Sequence, residues 1–185
     1  DRALEAGINF IDTAEMYPVN PLSAETQGRT EEVIGDWFER DGRRKDVILG
    51  TKHSGAGVKY VRDGAPISAR STSEAVEGSL ARLKTDYIDL YQFHWPNRGS
   101  YMFRQNWSYD PSKQNKAETV QNIQDCLVAL ALEVYRGRIR AFESLVMTAE
   151  FRQAFFHATR PTHFLRSPGN SAPSRPFATK IVSIR

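Results

Sequence analysis

The 185-residue sequence predicts an α/β fold built on a parallel β-sheet, closed as a barrel or left as an open sheet. Three observations predict it. Short apolar stretches typical of buried strands alternate with longer segments that have an apolar stripe at helical spacing. This alternation is typical of parallel sheets, because parallel neighbours need a long crossover connection. Three of the apolar stretches also end on an ionisable residue.

The predicted elements follow this alternation as far as Phe142. The first seven residues are typical of a helix that ends at Gly7, and because no methionine precedes them we expect the chain to start inside a longer protein. Residues 97–116 form a long predicted loop. Strands are predicted for residues 8–12, 46–52, 87–94 and 138–142, and helices for residues 30–40, 71–84 and 117–136.

Capping residues mark where two of these helices are predicted to begin. Thr30 can cap the first helix, where Glu31 and Glu32 suit the positive N-terminal end. Ser71 and Glu74 have capping-box spacing at the start of the second helix. The buried helix faces are predicted to include Val33, Ile34, Trp37, Phe38, Val76, Leu80, Leu83, Val120, Ile123, Leu127 and Leu130.

The net charge of +3 is distributed unevenly along the chain. Residues 151–185 contain six Arg and Lys and no Asp or Glu. This leaves 19 of the 25 basic residues and all 22 acidic residues in residues 1–150, a balance of −3. Nucleic-acid-binding domains usually show their basic residues on the folded body. We therefore expect no nucleic-acid partner.

The composition also bears on the cellular compartment. Hydrophobic residues make up 40% of the sequence, and no uninterrupted apolar stretch approaches the length of a membrane span, so we expect no membrane partner. Cys126 is the single cysteine, which excludes an internal disulfide, and the first residues lack the pattern of a signal peptide. We expect a cytoplasmic location, with Cys126 in the core.

Three of the predicted strands end on polar residues, namely Asp12, Lys52 and His94. Alternate residues of a strand share a face, so each of these residues continues a largely apolar row that should point inward. In a barrel of parallel strands, inward residues at the carboxyl ends of the strands form the floor of the active site. We therefore expect these three side chains to lie close together.

Tyr17 follows the first of these strand ends on a loop, in the stretch FIDTAEMYP. Taken alone, Asp12 and Tyr17 fit a turn-capping aspartate and a packed tyrosine better than they fit a functional site. A lysine ammonium beside the tyrosine would lower the pKa of the phenol, making it usable as an acid near neutral pH. With Asp12 holding Lys52 and His94 donating to the same substrate oxygen, the four groups could polarise and protonate a carbonyl.

Five separated stretches follow one another in a recognisable order: GINFIDTAEMYP, RTEEVIGDW, LGTKHSG, SLARLKTDYIDLYQFHWP and GRIRAF. In residue identity and spacing they resemble the aldo-keto reductase family, in a bacterial-type branch with a long loop after the strand that ends on His94. The resemblance covers about residues 1–142. The resemblance is specific because several separated motifs agree in their order along the chain as well as in their residues.

The resemblance implies a partial (β/α)₈ TIM barrel, with roughly half of the barrel present. The implied activity is the NADPH-dependent reduction of small-molecule aldehydes or ketones. In that reaction Tyr17 would be the general acid, Lys52 the group that lowers its pKa, and Asp12 the partner of Lys52. His94 would orient the substrate, and Trp95 would line its pocket. The residues that the resemblance implies for binding NADP(H) are Asp12, Tyr17, Lys52, His94 and Ser144.

The sequence departs from the family after the fourth predicted strand. In the family this strand continues into Gly, any residue, Ser and Asn, and the Ser and Asn hold the nicotinamide amide. Here Glu143 stands where the glycine is expected, Ser144 follows it, and the asparagine is absent. We interpret residues 143–185 as an atypical tail that is disordered or translated in a shifted reading frame. We also expect the isolated chain to bind NADPH weakly or not at all.

Two other classes of function remain open. The chain can be a non-catalytic relative that serves as a binding or regulatory subunit, or the non-functional product of a damaged gene. His53, His157 and His163 do not have the spacing of a metal site, so no metal is predicted. The oligomeric state is open as well.

Overall fold

The computed structural model describes residues 1–97, 107 and 110–144. Strands and helices alternate along these residues. The strands are β1 (Phe10–Asp12), β2 (Ile48–His53), β3 (Ile88–Phe93) and β4 (Ile139–Ser144). The helices are α1 (Arg2–Glu5), α2 (Arg29–Asp41), α3 (Ala69–Leu83) and α4 (Lys116–Tyr135), and short 3₁₀ helices cover Arg44–Asp46, Arg62–Gly64 and Pro111–Lys113.

The four strands form one parallel sheet in the order β1-β2-β3-β4. Asp12 pairs with Gly50, and Lys52 pairs with Gln92 one strand further on. Each strand is therefore adjacent to the next one along the chain, with a helix as the crossover between them. The predicted α/β class and the parallel pairing are confirmed, and the carboxyl ends of all four strands lie at one edge of the sheet.

The main hydrophobic core lies between the sheet and the helices. Tyr91 and Leu49 are fully buried there, and Cys126 is 1% exposed, as its position on α4 predicts. A second, smaller cluster lies beyond the carboxyl ends of the strands, where loop residues meet. Its buried members are Ala14, Met16, Val61 and Trp95.

The other face of the sheet is only half-buried at Phe10, Ile48 and Leu90. Gly50 lies on this face in β2, the strand between β1 and β3. A Cβ atom at this position would lie 3.1 Å from the ring of Phe10 and 3.4 Å from Asp12 Oδ1. The absence of a side chain at Gly50 thus leaves room for the carboxylate at the end of β1.

Both predicted helix caps are wrong. Helix α2 begins one residue before Thr30, and its N-cap is Gly28, whose φ of 81° suits a residue without a Cβ. Helix α3 begins at Ala69. Its capping box joins Ser68 and Ser71, because Ser71 is the third helical residue rather than the cap.

One residue of the predicted buried faces is also misplaced. Val33 is 54% exposed, whereas Phe38 on the same helix is 4% exposed. Helix α2 packs on α3 along the side that includes Gly35, and this contact turns Val33 towards solvent. Within the described ranges, no helix combines the length and the apolar composition that crossing a bilayer requires.

Candidate active site

Lys52 and Asp12 form an ion pair where β1 and β2 end. Lys52 Nζ lies 2.7 Å from Asp12 Oδ1 and donates a second hydrogen bond of 2.7 Å to the carbonyl of Thr13. The Lys52 side chain is 3% exposed and that of Asp12 is 15% exposed. The pair is thus enclosed by protein, where its mutual attraction is screened less than it would be at the surface.

The surroundings of Lys52 act on its protonation in opposite directions. Burial lowers the pKa of the ammonium, and the hydrogen bond and charge of Asp12 offset this only in part, so the pKa lies below its ordinary value. Asp12 therefore helps to keep a buried ammonium charged. The arrangement places a positive charge at the carboxyl ends of β1 and β2.

Tyr17 lies on the loop between β1 and α2, over this charge. Lys52 Nζ is 5.5 Å from the centroid of the Tyr17 ring. The ring centroids of Tyr17 and His94 are 5.8 Å apart, with the planes at 74°. Backbone hydrogen bonds from the Tyr17 N–H to Ala14 and from the Thr30 N–H to Tyr17 hold this stretch of the loop. The structure thus brings the four predicted side chains together, while their roles stay predictions.

His94 is buried at the end of β3 with 6% exposure, and its backbone N–H donates to His53 O at 2.9 Å. Burial, followed by the positive charge of Lys52, lowers the pKa of the imidazole to about 4. At neutral pH His94 is therefore uncharged, with one ring N–H able to donate and one nitrogen able to accept.

Trp95 is 8% exposed and packs on the loop after β2. Its indole N–H donates to Ala56 O at 3.2 Å, and its ring centroid is 4.9 Å from that of His94. A role for Trp95 in the substrate pocket stays a prediction. The backbone of Ser144 pairs with Phe93, the last residue of β3, directly before His94. The residues that follow Ser144 lie outside the described part of the chain.

Sequence reasoning missed Thr13, Glu15 and Arg62. Thr13 binds Lys52 through its backbone carbonyl, which any residue possesses, so no sequence signal could have identified it. Glu15 is fully buried and binds Arg62, 47 positions away. Glu15 could have been noticed because it is a charged residue between Asp12 and Tyr17, but nothing in the sequence indicated that Arg62 is its partner.

Among the residues that the structure describes, no three His, Cys, Asp or Glu side chains are grouped as a metal site would require. His53 ends β2, and His94 directly follows β3, the neighbouring strand. Their neighbours include the cation Lys52, which does not suit a metal ligand set.

The model of the Aldo/keto reductase family matches residues 1–142. This chain belongs to the aldo/keto reductase family. Protein tas of Escherichia coli is 42% identical over 144 residues, covering 76% of this chain and 40% of that protein. Aldo-keto reductase YhdN of Bacillus subtilis is 32% identical over 170 residues, covering 91% of this chain and 41% of that protein. This chain spans about two fifths of the length of these relatives.

Solved structures of the family have the same fold. One of them, an aldo-keto reductase from Klebsiella pneumoniae in complex with NADPH, superposes with a TM-score of 0.53 and 27% identity. The match covers 84% of this aldo-keto reductase chain and 40% of that structure. Together with the four parallel strands, it confirms the predicted partial TIM barrel. As a member of this family, the chain is related to oxidoreductases.

Proposed function

We propose that this chain contains the catalytic groups of an NADP(H)-dependent reductase that converts aldehydes or ketones to alcohols. The observation that supports this most directly is the buried ion pair of Lys52 and Asp12 beneath the ring of Tyr17. A carbonyl oxygen above Tyr17 would meet a phenol, a nearby cation and the ring of a neutral His94. These groups suit the developing negative charge on a carbonyl oxygen as it is reduced.

Each residue has one role in this proposal. Tyr17 donates its proton to the substrate oxygen, and the ammonium of Lys52 stabilises the phenolate that is left. Asp12 and the Thr13 carbonyl hold Lys52 in place. His94, being neutral, orients the carbonyl through an N–H donor without adding a competing positive charge.

NADP(H) is the cofactor that the proposal requires. When bound, NADPH supplies a hydride to the carbonyl carbon, so that hydride and the Tyr17 proton together give the alcohol. The residues fit such a cofactor because a proton donor, Tyr17, and a fixed cation, Lys52, lie together where they suit the oxygen of a carbonyl that accepts a hydride. Ser144 ends β4 at the same sheet edge as His94, so its position suits contact with the nicotinamide. The related Klebsiella pneumoniae structure contains NADPH. We propose that Asp12, Tyr17, Lys52, His94 and Ser144 bind the cofactor.

The domain division is also a proposal. We place the partial barrel at residues 1–142, which is the range that the family model matches, and the atypical segment at 143–185. The alignment with YhdN covers more of the chain than these 142 residues do, so it extends into the second segment. Translation of the encoding DNA in its other frames is the test. A Gly, any residue, Ser, Asn segment in another frame would support a shifted frame, and its absence would refute it.

The catalytic proposal is tested by NADPH oxidation with an aromatic aldehyde, using high NADPH concentrations because weak binding is expected. Tyr17→Phe should lower the aldehyde-dependent rate by about 100-fold or more, since the proton donor is lost. Tyr135→Phe is the matched control, because Tyr135 is 71% exposed on α4, and its rate should equal that of the wild type. Equal rates for Tyr17→Phe and wild type would contradict the proposal. A folded wild type that does not oxidise NADPH would favour the non-catalytic relative.

A further inference from the structure

A second buried ion pair, between Glu15 and Arg62, joins the two loops that surround the site. Arg62 Nη1 donates to Glu15 Oε2 at 2.5 Å, and Nη2 donates to Glu15 Oε1 at 2.8 Å. The geometry is the two-pronged one that a guanidinium and a carboxylate form best. Glu15 lies on the β1–α2 loop, between Asp12 and Tyr17, and Arg62 lies on the β2–α3 loop.

The Glu15–Arg62 pair has further partners that hold it inside the protein. The Glu15 side chain is 2% exposed and that of Arg62 is 20% exposed. The backbone N–H of Ser54 donates to Glu15 Oε1 at 2.5 Å, and Arg62 Nη2 also donates to Ser54 O at 3.1 Å. Burial alone would raise the pKa of the Glu15 carboxyl, but the hydrogen bond from Arg62 and the nearby positive charges lower it overall. The carboxylate is thus charged at neutral pH.

The backbone at Arg62 adopts a conformation that is unfavourable for residues with a side chain. Arg62 has a φ of 48° and the following residue, Asp63, has a φ of 56°. Such left-handed residues persist only where the surrounding structure determines them, and they occur often at functional sites. Here two backbone hydrogen bonds, from Gly57 N–H to Gly64 O and from Gly64 N–H to Val61 O, close the loop that contains them.

The β2–α3 loop, which contains Arg62, packs directly on Trp95, the residue that follows His94. Val61 is buried in the small cluster with Trp95, and the Trp95 indole donates to Ala56 O. A Cβ atom at Gly55 would lie 2.3 Å from Trp95 Nε1, so the loop backbone touches the indole. The position of the Trp95 ring is therefore determined by the β2–α3 loop.

The other end of the Glu15–Arg62 pair is connected to Tyr17. The Glu15 backbone N–H donates to Lys52 O at 3.2 Å, and its carbonyl accepts from Gln27 Nε2 at 2.8 Å. Tyr17, two residues further on, belongs to the edge of the cluster that contains Trp95. A shift of Glu15 would therefore move the phenol relative to Lys52.

We propose that Glu15 and Arg62 are positioning residues, which hold the β2–α3 loop against Trp95 and thereby fix Tyr17 and Trp95 relative to each other. In its consequence for turnover, this inference rests on the proposed reductase function. A displacement of about 1 Å at a reacting group costs up to about 100-fold in rate. The pair can thus affect catalysis without touching substrate or cofactor.

The hydrogen exchange of the Trp95 indole N–H tests the inference without any activity. The signal is measured by NMR on the whole chain and assigned with Trp95→Phe. Arg62→Ala should speed the exchange by about tenfold or more, because the loop that supplies Ala56 O is released. Arg62→Lys keeps the charge but loses the two-pronged geometry, and should give an intermediate rate. If Arg62→Ala does not fold, Arg62→Lys decides the test.

Two control variants distinguish release of the β2–α3 loop from a general loss of stability. Arg70→Ala removes an arginine from an exposed ion pair with Glu74 and should leave the exchange unchanged. Gly35→Ala disturbs the contact between α2 and α3, away from the site, because a Cβ there would lie 2.3 Å from Arg82 O. An exchange rate in Arg62→Ala that equals the wild type, or that only matches Gly35→Ala at equal stability, would overturn the inference.

Turnover measurements give a second, separate readout. In an active wild type, Arg62→Ala should lower kcat for the aldehyde by about tenfold or more, and Glu15→Gln should add little to it in the double variant, because the two residues act as one unit. An unchanged kcat in Arg62→Ala would overturn the positioning role. A wild type without turnover would count against the proposed function alone, and the indole exchange would still decide the role of the Glu15–Arg62 pair.

Discussion

Lys52 Nζ and Asp12 Oδ1 lie 2.7 Å apart although 40 positions separate the two residues in the sequence. They meet because β1 and β2 are parallel neighbours in register, so that both strands end at the same edge of the sheet. The pair is almost completely buried, and its position beneath Tyr17 links the fold directly to the proposed chemistry.

Removing the cation of this pair should destabilise the fold. Lys52→Met leaves the Asp12 carboxylate without its buried partner, and we expect a loss of about 3 kcal/mol in the free energy of unfolding, measured by urea denaturation. Lys113→Met is the matched control. Its pairing with Asp110 is exposed and 3.7 Å long, so little change is expected. Similar stabilities of the two variants would show that the buried pair does not stabilise the chain.

Stability should fall as the pH drops from neutral to mildly acidic. Burial lowers the pKa of both His53 and His94 to about 4. Between pH 6.5 and 4 the unfolded state therefore binds protons that the folded state does not, and stability rises with pH across this window. Between pH 7 and pH 5 each histidine should remove about 2 kcal/mol.

Urea denaturation at several pH values measures this dependence. His53→Leu replaces a fully buried imidazole with a side chain that does not titrate, and should remove about half of the pH dependence in that window. A variant that loses stability on acidification as steeply as the wild type would contradict the assignment of the effect to His53.

The start of α3 offers a test of the observed cap against the one expected from sequence. Ser68→Ala removes the side chain that accepts from the Ser71 N–H, and should lower the free energy of unfolding by about 1 kcal/mol. Glu74→Ala removes only the exposed partner of Arg70 and should have little effect. A larger loss in Glu74→Ala than in Ser68→Ala would instead support the capping box predicted from the sequence.

Two helical glycines should respond to alanine with opposite signs. At Gly35 a Cβ atom would lie 2.3 Å from the backbone oxygen of Arg82, so α2 and α3 must separate, and we expect a loss of about 2 kcal/mol. At Gly78 the nearest atom is Nη1 of the flexible Arg82 side chain, at 3.1 Å. There the better helix propensity of alanine should add up to about 1 kcal/mol. Thermal unfolding of both variants measures the difference, and equal shifts would contradict the packing argument.

Periodicity predicted the strands and helices well because the buried faces of this fold follow simple spacing. Cys126 lies in the core, as its position on α4 predicts. The helix starts were predicted less well, since a cap depends on the backbone conformation of one residue. The left-handed Gly28 replaces Thr30 at α2 for this reason.

The sequence by itself determined the alternation of strands and helices and the family, and it predicted the four candidate residues Asp12, Tyr17, Lys52 and His94, because these depend on local spacing and on motifs that are continuous in the chain. Only the tertiary structure decided what holds those residues in place. The Thr13 carbonyl and the pairing of Glu15 with Arg62 arise where separate loops meet at one edge of the sheet. These contacts join residues that are far apart in the sequence, so no local pattern of residues predicts them.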